Sequence, residues 1–307
     1  IRDTGELRLV LRTIHLQVSP TTKRTARKKK TRISHLVKRT RERNPEPELE
    51  LVGMDRMPAK NQCMAGKTKM TTTRMHSYEV SNMAIDLSKS YEYFQPEKVD
   101  CRIHIVGCGS VGATVAELLV RLGLTNIALW DMDTVSPHNL ANQIFRQQDI
   151  GRSKVEALAD ILFDINPDVK DDLKLYKDGW NGQQLSGYVF LCVDNIELRK
   201  KIVEKHFDNP YVKAMFDFRT LLEAGQHYAA DWSDYKMKKD LLNSMNFTHD
   251  EAAEETPVSA CGITLGVVTT VRVICALGVS NFVKYIRGKG LNKLIICDAF
   301  QPLLDAF

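Results

Sequence analysis

From residue 101 onward, short apolar runs alternate with longer segments in which apolar residues recur every three or four positions. The runs RIHIVG, NIALWD, LKLYK and GYVFLCVD have the length and composition of buried strands. Helices are predicted at Ser110–Leu122, at KVEALADILFDIN and from about Ile196 to Phe207. Strands that alternate with helices of this length predict a Rossmann-like α/β fold with a doubly wound, mostly parallel sheet.

The alternation changes after residue 210. YVKAMFDF and AGQHYAADW predict two adjacent strands, an antiparallel extension of the sheet. An acidic loop is predicted from Tyr235 to Thr256, followed by a long helix and a last strand, KLIICDAF. The most apolar long stretch, Thr264–Ile286, is interrupted by Arg272, so a buried helix is predicted there rather than a membrane span.

Charge is distributed unevenly along the chain. Residues 1–75 hold 19 Lys and Arg against 7 Asp and Glu, whereas the rest of the chain holds 24 against 31. A segment with dense like charge and few aromatics buries too little surface to offset its ordering entropy, so residues 1–75 are predicted to form a disordered basic arm. The basic arm is either a solvated tail or, as the alternative, a segment that binds nucleic acid through its phosphates. Because the chain starts at Ile1 and several methionines follow, part of the arm is also interpreted as a gene-model extension or a fragment.

The seven cysteines form no CxxC pair and show no metal-ligand spacing. The sequence shows no signal peptide and no uninterrupted apolar run of membrane-spanning length. A reduced, cytoplasmic protein without a membrane segment is therefore expected.

Three glycines follow the first predicted strand in HIVGCGSVGATVAELL. Gly107 permits a tight turn, Gly109 lets the backbone approach a phosphate, and Gly112 lets the helix pack on the strand. The helix N-terminus adds amide donors. Asp131, at the end of the second strand, lies at the distance at which an acidic residue holds a ribose hydroxyl. These features suit a dinucleotide as well as ATP, and turn glycines without a ligand are the structural alternative.

The residues that follow distinguish the two nucleotides. DMDTVSPHNLANQIF is followed by DIGRSKVEAL and INP, a series that a nicotinamide enzyme does not need. Asp131 and Asp133 offer carboxylate oxygens for ribose or metal, an Asn-x-x-x-Gln loop offers amides, and Lys154 offers a cation for phosphate charge. The pattern favours a triphosphate with Mg²⁺. The structural alternatives are ordinary strand-end acids and a solvated helix lysine.

With these motifs in this order, the chain resembles the ThiF/MoeB/HesA family, the bacterial relatives of ubiquitin-activating enzymes, over about Cys101–Phe300. The resemblance implies a ThiF-type ATP-binding adenylation domain at residues 76–307. It implies an ATP- and Mg²⁺-dependent adenylyltransferase that converts the C-terminal carboxylate of a small ubiquitin-like or sulfur-carrier protein into an acyl-AMP. A homodimer is also implied, and the apolar helix from about Ile263 suits its interface.

The resemblance also assigns roles to single residues. The three glycines would line the nucleotide phosphates, and Asp131 would hold the ATP ribose. The residues that it places at the phosphates are Asn139, Gln143 and Lys154. Asp194 would hold Mg²⁺ and orient the triphosphate, with Asn195 beside it. Cys261 falls where several members carry a cysteine that becomes linked to the activated partner, and an incidental thiol is the alternative.

The sequence departs from the family at one phosphate position, because NLANQ places Asn142 where the family usually has arginine. A neutral amide does not replace a guanidinium opposite phosphate charge. Arg146 is therefore expected to compensate as a catalytic residue, with Arg152 as the alternative.

Arg219, in DFRTLLEAGQ, has two possible roles in the sequence. It either anchors a partner's carboxylate or pairs with Asp217.

Three further interpretations of the function stay open. The chain adenylates an RNA-borne or small-molecule carboxylate, as the tRNA-modifying dehydratase branch does, or it is a nucleotide-binding module without turnover, which Asn142 favours. An NAD oxidoreductase is the third.

Overall fold

The computed structural model of the protein describes residues 85–248, 250–251, 266–301 and 303–307. The predicted disordered arm at residues 1–75, with its suggested nucleic-acid contacts, lies outside the described residues. Cys261 lies outside them too. The boundary between the arm and the domain, placed at residues 75 and 76, therefore stays a prediction.

Eight strands form one sheet in the order β3-β2-β1-β4-β5-β6-β7-β8. Their bounds are β1 Ile103–Val106, β2 Ile127–Trp130, β3 Lys174–Tyr176, β4 Gly187–Leu191, β5 Val212–Thr220, β6 Ala224–Asp231, β7 Leu294–Asp298 and β8 Leu303–Ala306. Neighbours among β1 to β5 pair in parallel, whereas β6, β7 and β8 are added in antiparallel fashion. The predicted sheet, mostly parallel with an antiparallel extension, is confirmed.

The α-helices whose bounds lie in the described ranges are α1 Ser110–Arg121, α2 Lys154–Ile165, α3 Val169–Asp172, α4 Ile196–Lys205, α5 Tyr235–Asn243 and α6 Val268–Ile286. Residues 250–251 are helical as well. One apolar cluster joins the sheet to α1, α2 and α6, and a second joins its other face to α4 and α5. Helices therefore cover both faces, as the doubly wound prediction requires. The helix predicted in the most apolar stretch is α6, which buries Val271, Ile274 and Cys275. None of the described helices is long and apolar enough to cross a membrane.

Three elements differ from the sequence prediction. The single-turn helix α3, Val169–Asp172, was not predicted. The segment from Tyr235, predicted as an acidic loop, begins with helix α5. The carboxylate of Asp234 accepts the Met237 N–H at 3.0 Å and caps this helix, while Met237 and Leu241 are buried one turn apart. Strand β8 was not predicted, because all four of its residues are exposed and show no alternation of buried and solvated positions.

The carboxyl ends of β1, β2, β4 and β5 meet at one edge of the sheet, since these strands are parallel. The polypeptide leaves β1 through Gly107, β2 through Asp131 and β4 through Cys192–Asp194. Strand order reverses between β1 and β4, and open α/β sheets bind ligands in the crevice at such a point. The candidate site is therefore sought at this edge.

His227, on β6, is buried, and its two ring hydrogen bonds suit a neutral imidazole. Its Nδ1 lies 3.1 Å from the Asp217 carbonyl oxygen, and its Nε2 lies 3.2 Å from the Asn281 side-chain nitrogen. Nδ1 therefore donates to the carbonyl, and Nε2 accepts from the amide. A proton on Nε2 would face the Asn281 donor. Burial lowers the pKa of His227 from 6.5 to about 4.

We expect the free energy of unfolding to fall as the pH falls from 6.5 to about 4. The unfolded state binds a proton in this interval and the folded state does not, so His227 contributes a slope of up to about 1.4 kcal/mol per pH unit. His227→Gln should lower stability at neutral pH and flatten this slope in urea unfolding measured at several pH values. His138→Gln, which removes an exposed imidazole, is the control. Equal slopes for wild type and His227→Gln would refute this account.

Candidate functional site

The glycine-rich turn after β1 lies between the ends of the two neighbouring strands. Gly107 has φ of +94°, and its N–H donates to the Trp130 carbonyl of β2 at 2.8 Å. A Cβ atom on Gly107 would lie 2.6 Å from the Val193 nitrogen, in the loop after β4. Both the left-handed φ and the close approach require glycine here. The turn thereby brings the loops after β2 and β4 together.

The other two glycines of the turn face different surroundings. A Cβ atom on Gly112 would lie 1.8 Å from the Gly107 carbonyl oxygen, so Gly112 allows α1 to pack against the turn. A Cβ atom on Gly109 would have no heavy atom of the described residues within 4 Å, apart from its chain neighbours. Gly109 directly precedes α1, whose first N–H groups lack intrahelical acceptors. The open space at Gly109 therefore suits an anionic group.

Alanine at Gly112 should lower folding stability, whereas alanine at Gly109 should weaken ATP binding. Gly112→Ala forces α1 away from the turn and should cost about 2 kcal/mol or more of folding stability. Gly109→Ala should change stability by about 0.5 kcal/mol or less, yet its methyl group takes the space of a phosphate oxygen and should weaken ATP binding about tenfold or more. Urea unfolding and calorimetric ATP titration of both variants measure the two effects. A Gly109→Ala protein that binds ATP like wild type would contradict the phosphate site.

Asp131 holds the glycine turn and the loop after β2 together. One carboxylate oxygen accepts the Cys108 N–H at 2.6 Å, and the other accepts the Asp133 N–H at 2.8 Å. Burial raises the pKa of Asp131, although these two hydrogen bonds and the charge of Lys154 oppose the shift. Each oxygen keeps a further lone pair, so the carboxylate is chemically able to accept ribose hydroxyls as well.

Lys154, the first residue of α2, is held beside the loop after β2. Its ammonium lies 2.7 Å from a carboxylate oxygen of Asp133, and its backbone N–H donates to the Asp133 carbonyl at 2.9 Å. The lysine is buried, whereas the side chain of Asp133 is 62% exposed. Thr134 and Ser153 pair beside them. The sequence-predicted acid and lysine are therefore brought together as one ion pair.

The loop after β4 places Asp194 in solvent at the end of the strand. Asn195, next to it, caps α4, because its side-chain oxygen accepts the Leu198 N–H at 2.8 Å. The amide nitrogen of Asn195 is the part of its side chain that this cap does not use. Asp194 and Asn195 thus stand next to the glycine turn, which contacts Val193.

The amide residues of the NLANQ segment differ in how much of their hydrogen-bonding capacity is used. The Asn139 side-chain oxygen accepts the Ser136 N–H at 2.8 Å and closes a short 3₁₀ turn, Pro137–Ala141. The Gln143 side-chain oxygen is buried without a hydrogen-bond partner among the described residues. A buried polar atom without a partner is costly, so Gln143 suits a contact with a ligand.

Arg146, predicted to compensate for Asn142, is paired with carboxylates. Its Nε lies 3.1 Å from Asp149, and a terminal nitrogen lies 3.1 Å from Asp164 on α2. Arg152 binds the same buried Asp149 at 3.2 Å and Asp160 at 2.6 Å. Both guanidiniums therefore have acidic partners within the protein. A catalytic role for Arg146 stays a prediction, and it requires the side chain to leave these carboxylates.

Residues 82–303 match the sequence model of the ThiF family. The chain belongs to the ThiF family. The resemblance inferred from the glycine turn, Asp131, Lys154 and Asp194 is therefore confirmed, and the glycine turn, the aspartates and Lys154 fall within the matched region.

The curated relatives of this ThiF-family chain include ubiquitin-like modifier-activating enzyme 5 from two species. The Gallus gallus protein is 32% identical over 187 residues, which cover 56% of this chain and 46% of the relative. The Caenorhabditis briggsae protein is 35% identical over 118 residues, which cover 34% of this chain and 27% of the relative. The chain thus matches less than half the length of either relative.

Two solved structures have a similar fold. The crystal structure of E. coli MccB with ATP has a TM-score of 0.52 at 16% identity, covering 69% of this chain and 65% of that one. The crystal structure of PaaA has a TM-score of 0.54 at 16% identity, with the same coverage. At this identity the likeness shows the fold alone.

The chemistry of the site fits a metal ion that arrives with a nucleotide. Within the described ranges, no three or more His, Cys, Asp or Glu side chains are grouped so as to hold a metal ion. Mg²⁺ commonly binds through one or two carboxylates together with substrate phosphates and waters. The exposed carboxylate of Asp194 fits this mode.

Proposed function

We propose that this ThiF-family chain is an ATP-dependent adenylyltransferase that activates the C-terminal carboxylate of a small ubiquitin-like or sulfur-carrier protein. One observation carries the proposal: a glycine turn with open space at a helix N-terminus is flanked by the Asp131 loop on one side and by the Asp194 loop on the other. The paired Lys154 adds a buried cation to the first loop. The names of the curated relatives agree with a ubiquitin-like partner.

In the proposed reaction, a carboxylate oxygen of the partner attacks the α-phosphorus of ATP. The bond from this phosphorus to the bridging oxygen breaks, and pyrophosphate leaves with the electron pair. The nucleophile is already ionised, so no side chain is needed as a base, and catalysis rests on positioning and charge neutralisation. The α1 N-terminus and Lys154 would bind phosphate oxygens, with Asn139 and Gln143 beside them. Asp194 would hold Mg²⁺, which supplies further charge neutralisation when bound, and Asn195 would lie beside it.

The later step of the proposal concerns Cys261. Its thiolate would attack the acyl-AMP carbonyl, forming a thioester and releasing AMP. Cys261 lies outside the described residues, so this role rests on the sequence resemblance alone. A homodimer and a cytoplasmic location belong to the same proposal.

A nucleotide-binding module without turnover is the second candidate. Its support is the pairing of both nearby arginines with carboxylates, beside a neutral Asn142 at the family's arginine position. If neither Arg146 nor Arg152 reaches the nucleotide, the phosphates lack one cation of the family pattern.

ATP–pyrophosphate exchange tests turnover directly. The full chain is mixed with ATP, Mg²⁺, labelled pyrophosphate and a candidate ubiquitin-like protein that ends in Gly-Gly. The control is the same protein with a C-terminal amide, which has no carboxylate to attack the α-phosphorus. Label that enters ATP only with the free carboxylate supports adenylation. ATP binding without exchange for any carboxylate, including small-molecule and RNA-borne ones, supports the module without turnover.

A further inference from the structure

Arg199, on α4, contacts the loop that carries Asp194 from inside the protein. Its Nε donates to the Val193 carbonyl oxygen at 2.6 Å, and one terminal nitrogen donates to the same oxygen. Its other terminal nitrogen donates to Asp217 at 2.7 Å and to the Phe218 carbonyl at 2.5 Å. Arg199 is buried. One guanidinium therefore joins the loop after β4 to β5.

These contacts lie where two strands of the sheet separate. The last paired residues of β4 and β5 are Leu191 and Asp217. Phe218 follows this pair on β5 and Val193 lies in the loop after β4, so backbone pairing between β4 and β5 no longer fixes their separation. Arg199 bridges the two carbonyl groups instead. The Cys192 N–H still donates to the Val106 carbonyl of β1 at 2.8 Å, so the sheet holds the start of this loop. Beyond Cys192, Arg199 is the link between the loop and β5.

The contact with Val193 also orients the peptide unit of Asp194. No cis peptide occurs among the described residues, so the Val193 C=O and the Asp194 N–H point in opposite directions. The carbonyl faces the buried guanidinium, and the N–H therefore faces away from it. The next residue, Asp194, is exposed, whereas Arg199 is buried.

A second arginine completes the network without touching the Asp194 loop. Arg219 Nε donates to Asp217 at 2.8 Å, and its terminal nitrogens donate to the carbonyl and hydroxyl oxygens of Ser244. Burial opposes ionisation of Asp217, but the charges of Arg219 and Arg199 hold the pKa of its carboxyl below the usual value. Asp217 therefore remains ionised between the two guanidiniums, and each arginine is a partner of the same buried charge.

We propose that Arg199 is a positioning residue for nucleotide and metal binding: it fixes the Val193–Asp194 peptide so that Asp194 presents its carboxylate to the metal–triphosphate. This inference rests on the proposed function of the site. Arg199 touches neither the nucleotide nor the metal in this role. It acts through the Val193 carbonyl.

Two lysine variants separate positioning from general support of the fold. Arg199→Lys keeps a positive charge for Asp217, but one ammonium does not reproduce the fork that spans Val193, Asp217 and Phe218. Arg219→Lys is the matched control, because it loosens the same buried carboxylate without removing a contact to the Asp194 loop. The two variants should lose similar amounts of thermal stability.

The first readout is amide hydrogen exchange of the nucleotide-free protein. Arg199→Lys should accelerate exchange about tenfold or more at Cys192, whose N–H donates to the Val106 carbonyl at 2.8 Å where the Asp194 loop begins, whereas Arg219→Lys should leave this amide like wild type. The second readout is calorimetric binding of ATP with and without Mg²⁺. Arg199→Lys should weaken binding about tenfold or more with Mg²⁺ and much less without it. Arg219→Lys should bind like wild type under both conditions.

Similar changes in both variants would overturn the proposal, because they would indicate general loosening around Asp217. Wild-type loop exchange and wild-type ATP·Mg²⁺ affinity in Arg199→Lys would overturn it as well. A wild-type protein that binds no ATP would instead refute the proposed function and, with it, the role of Arg199 in nucleotide binding. In that case the exchange data would still show whether Arg199 holds the loop, so the two failures are distinguishable.

Discussion

Asp194→Asn is expected to reduce ATP–pyrophosphate exchange by about 10²-fold to 10³-fold, the scale for losing one well-placed charge-stabilising group. The amide keeps the volume of the side chain and removes the negative charge that a hard cation requires. Because Asp194 is exposed at the end of β4, the melting temperature should not change. Initial exchange rates at several Mg²⁺ concentrations measure the effect.

Asp208→Asn is the control for this substitution. Asp208 is also exposed, but it lies in the connection from α4 to the start of β5, at the opposite edge of the sheet. Its variant should exchange like wild type. Wild-type exchange by Asp194→Asn would refute the assignment of the metal to this carboxylate.

Lys154→Met should lower the exchange rate by a similar factor, about 10²-fold to 10³-fold, because it removes the buried cation next to the phosphate site. Methionine fills much of the same volume, and the unpaired Asp133 is mostly solvated, so folding stability should change little. Steady-state exchange at saturating ATP separates the loss of rate from the loss of affinity.

Asp133→Asn provides the comparison, since it keeps the ammonium and removes only its carboxylate partner. A smaller loss than that of Lys154→Met is expected, because the lysine is then less well positioned but still charged. Equal losses in the two variants would mean that the ion pair acts as a unit. No loss in Lys154→Met would show that the lysine is a structural residue.

The sequence predicted the elements whose periodicity is set by burial. Strands β1, β2 and β4 are buried on both faces and appear as continuous apolar runs, and α2 shows its apolar face at helical spacing. The loop predicted from Tyr235 was wrong, because helix α5 begins there. The sequence signal of this helix is only one capping aspartate and two buried residues within a polar segment. Strand β8 is exposed throughout, so burial leaves no pattern in its sequence.

The candidate site was predicted in part. Glycines and acids at strand ends are visible in the sequence because the connections of a parallel sheet place them together. The sequence does not show whether a side-chain amide is free to bind a ligand. Asn139 and Asn195 each use their side-chain oxygen in a local cap. The pairing of Arg146 with Asp149 and Asp164 depends on the position of α2, which local sequence does not fix.

Arg199 was not singled out by the sequence analysis. It lies four residues after Asn195 on a helix rich in charge, and nothing in its neighbours distinguishes it from a solvated arginine. The role proposed for it rests on the Asp217 carboxylate and Phe218 carbonyl of β5 and on the Val193 carbonyl in the loop after β4, which the fold alone brings together.

Calorimetric titration of the full chain tests most directly whether the glycine turn holds a triphosphate with metal rather than a dinucleotide. ATP with Mg²⁺ and NAD are titrated separately under identical conditions. The arrangement of Asp131, Lys154 and Asp194 predicts that ATP with Mg²⁺ binds, and that NAD binds much more weakly or not at all. NAD bound more tightly than ATP would contradict the step from this fold to adenylation.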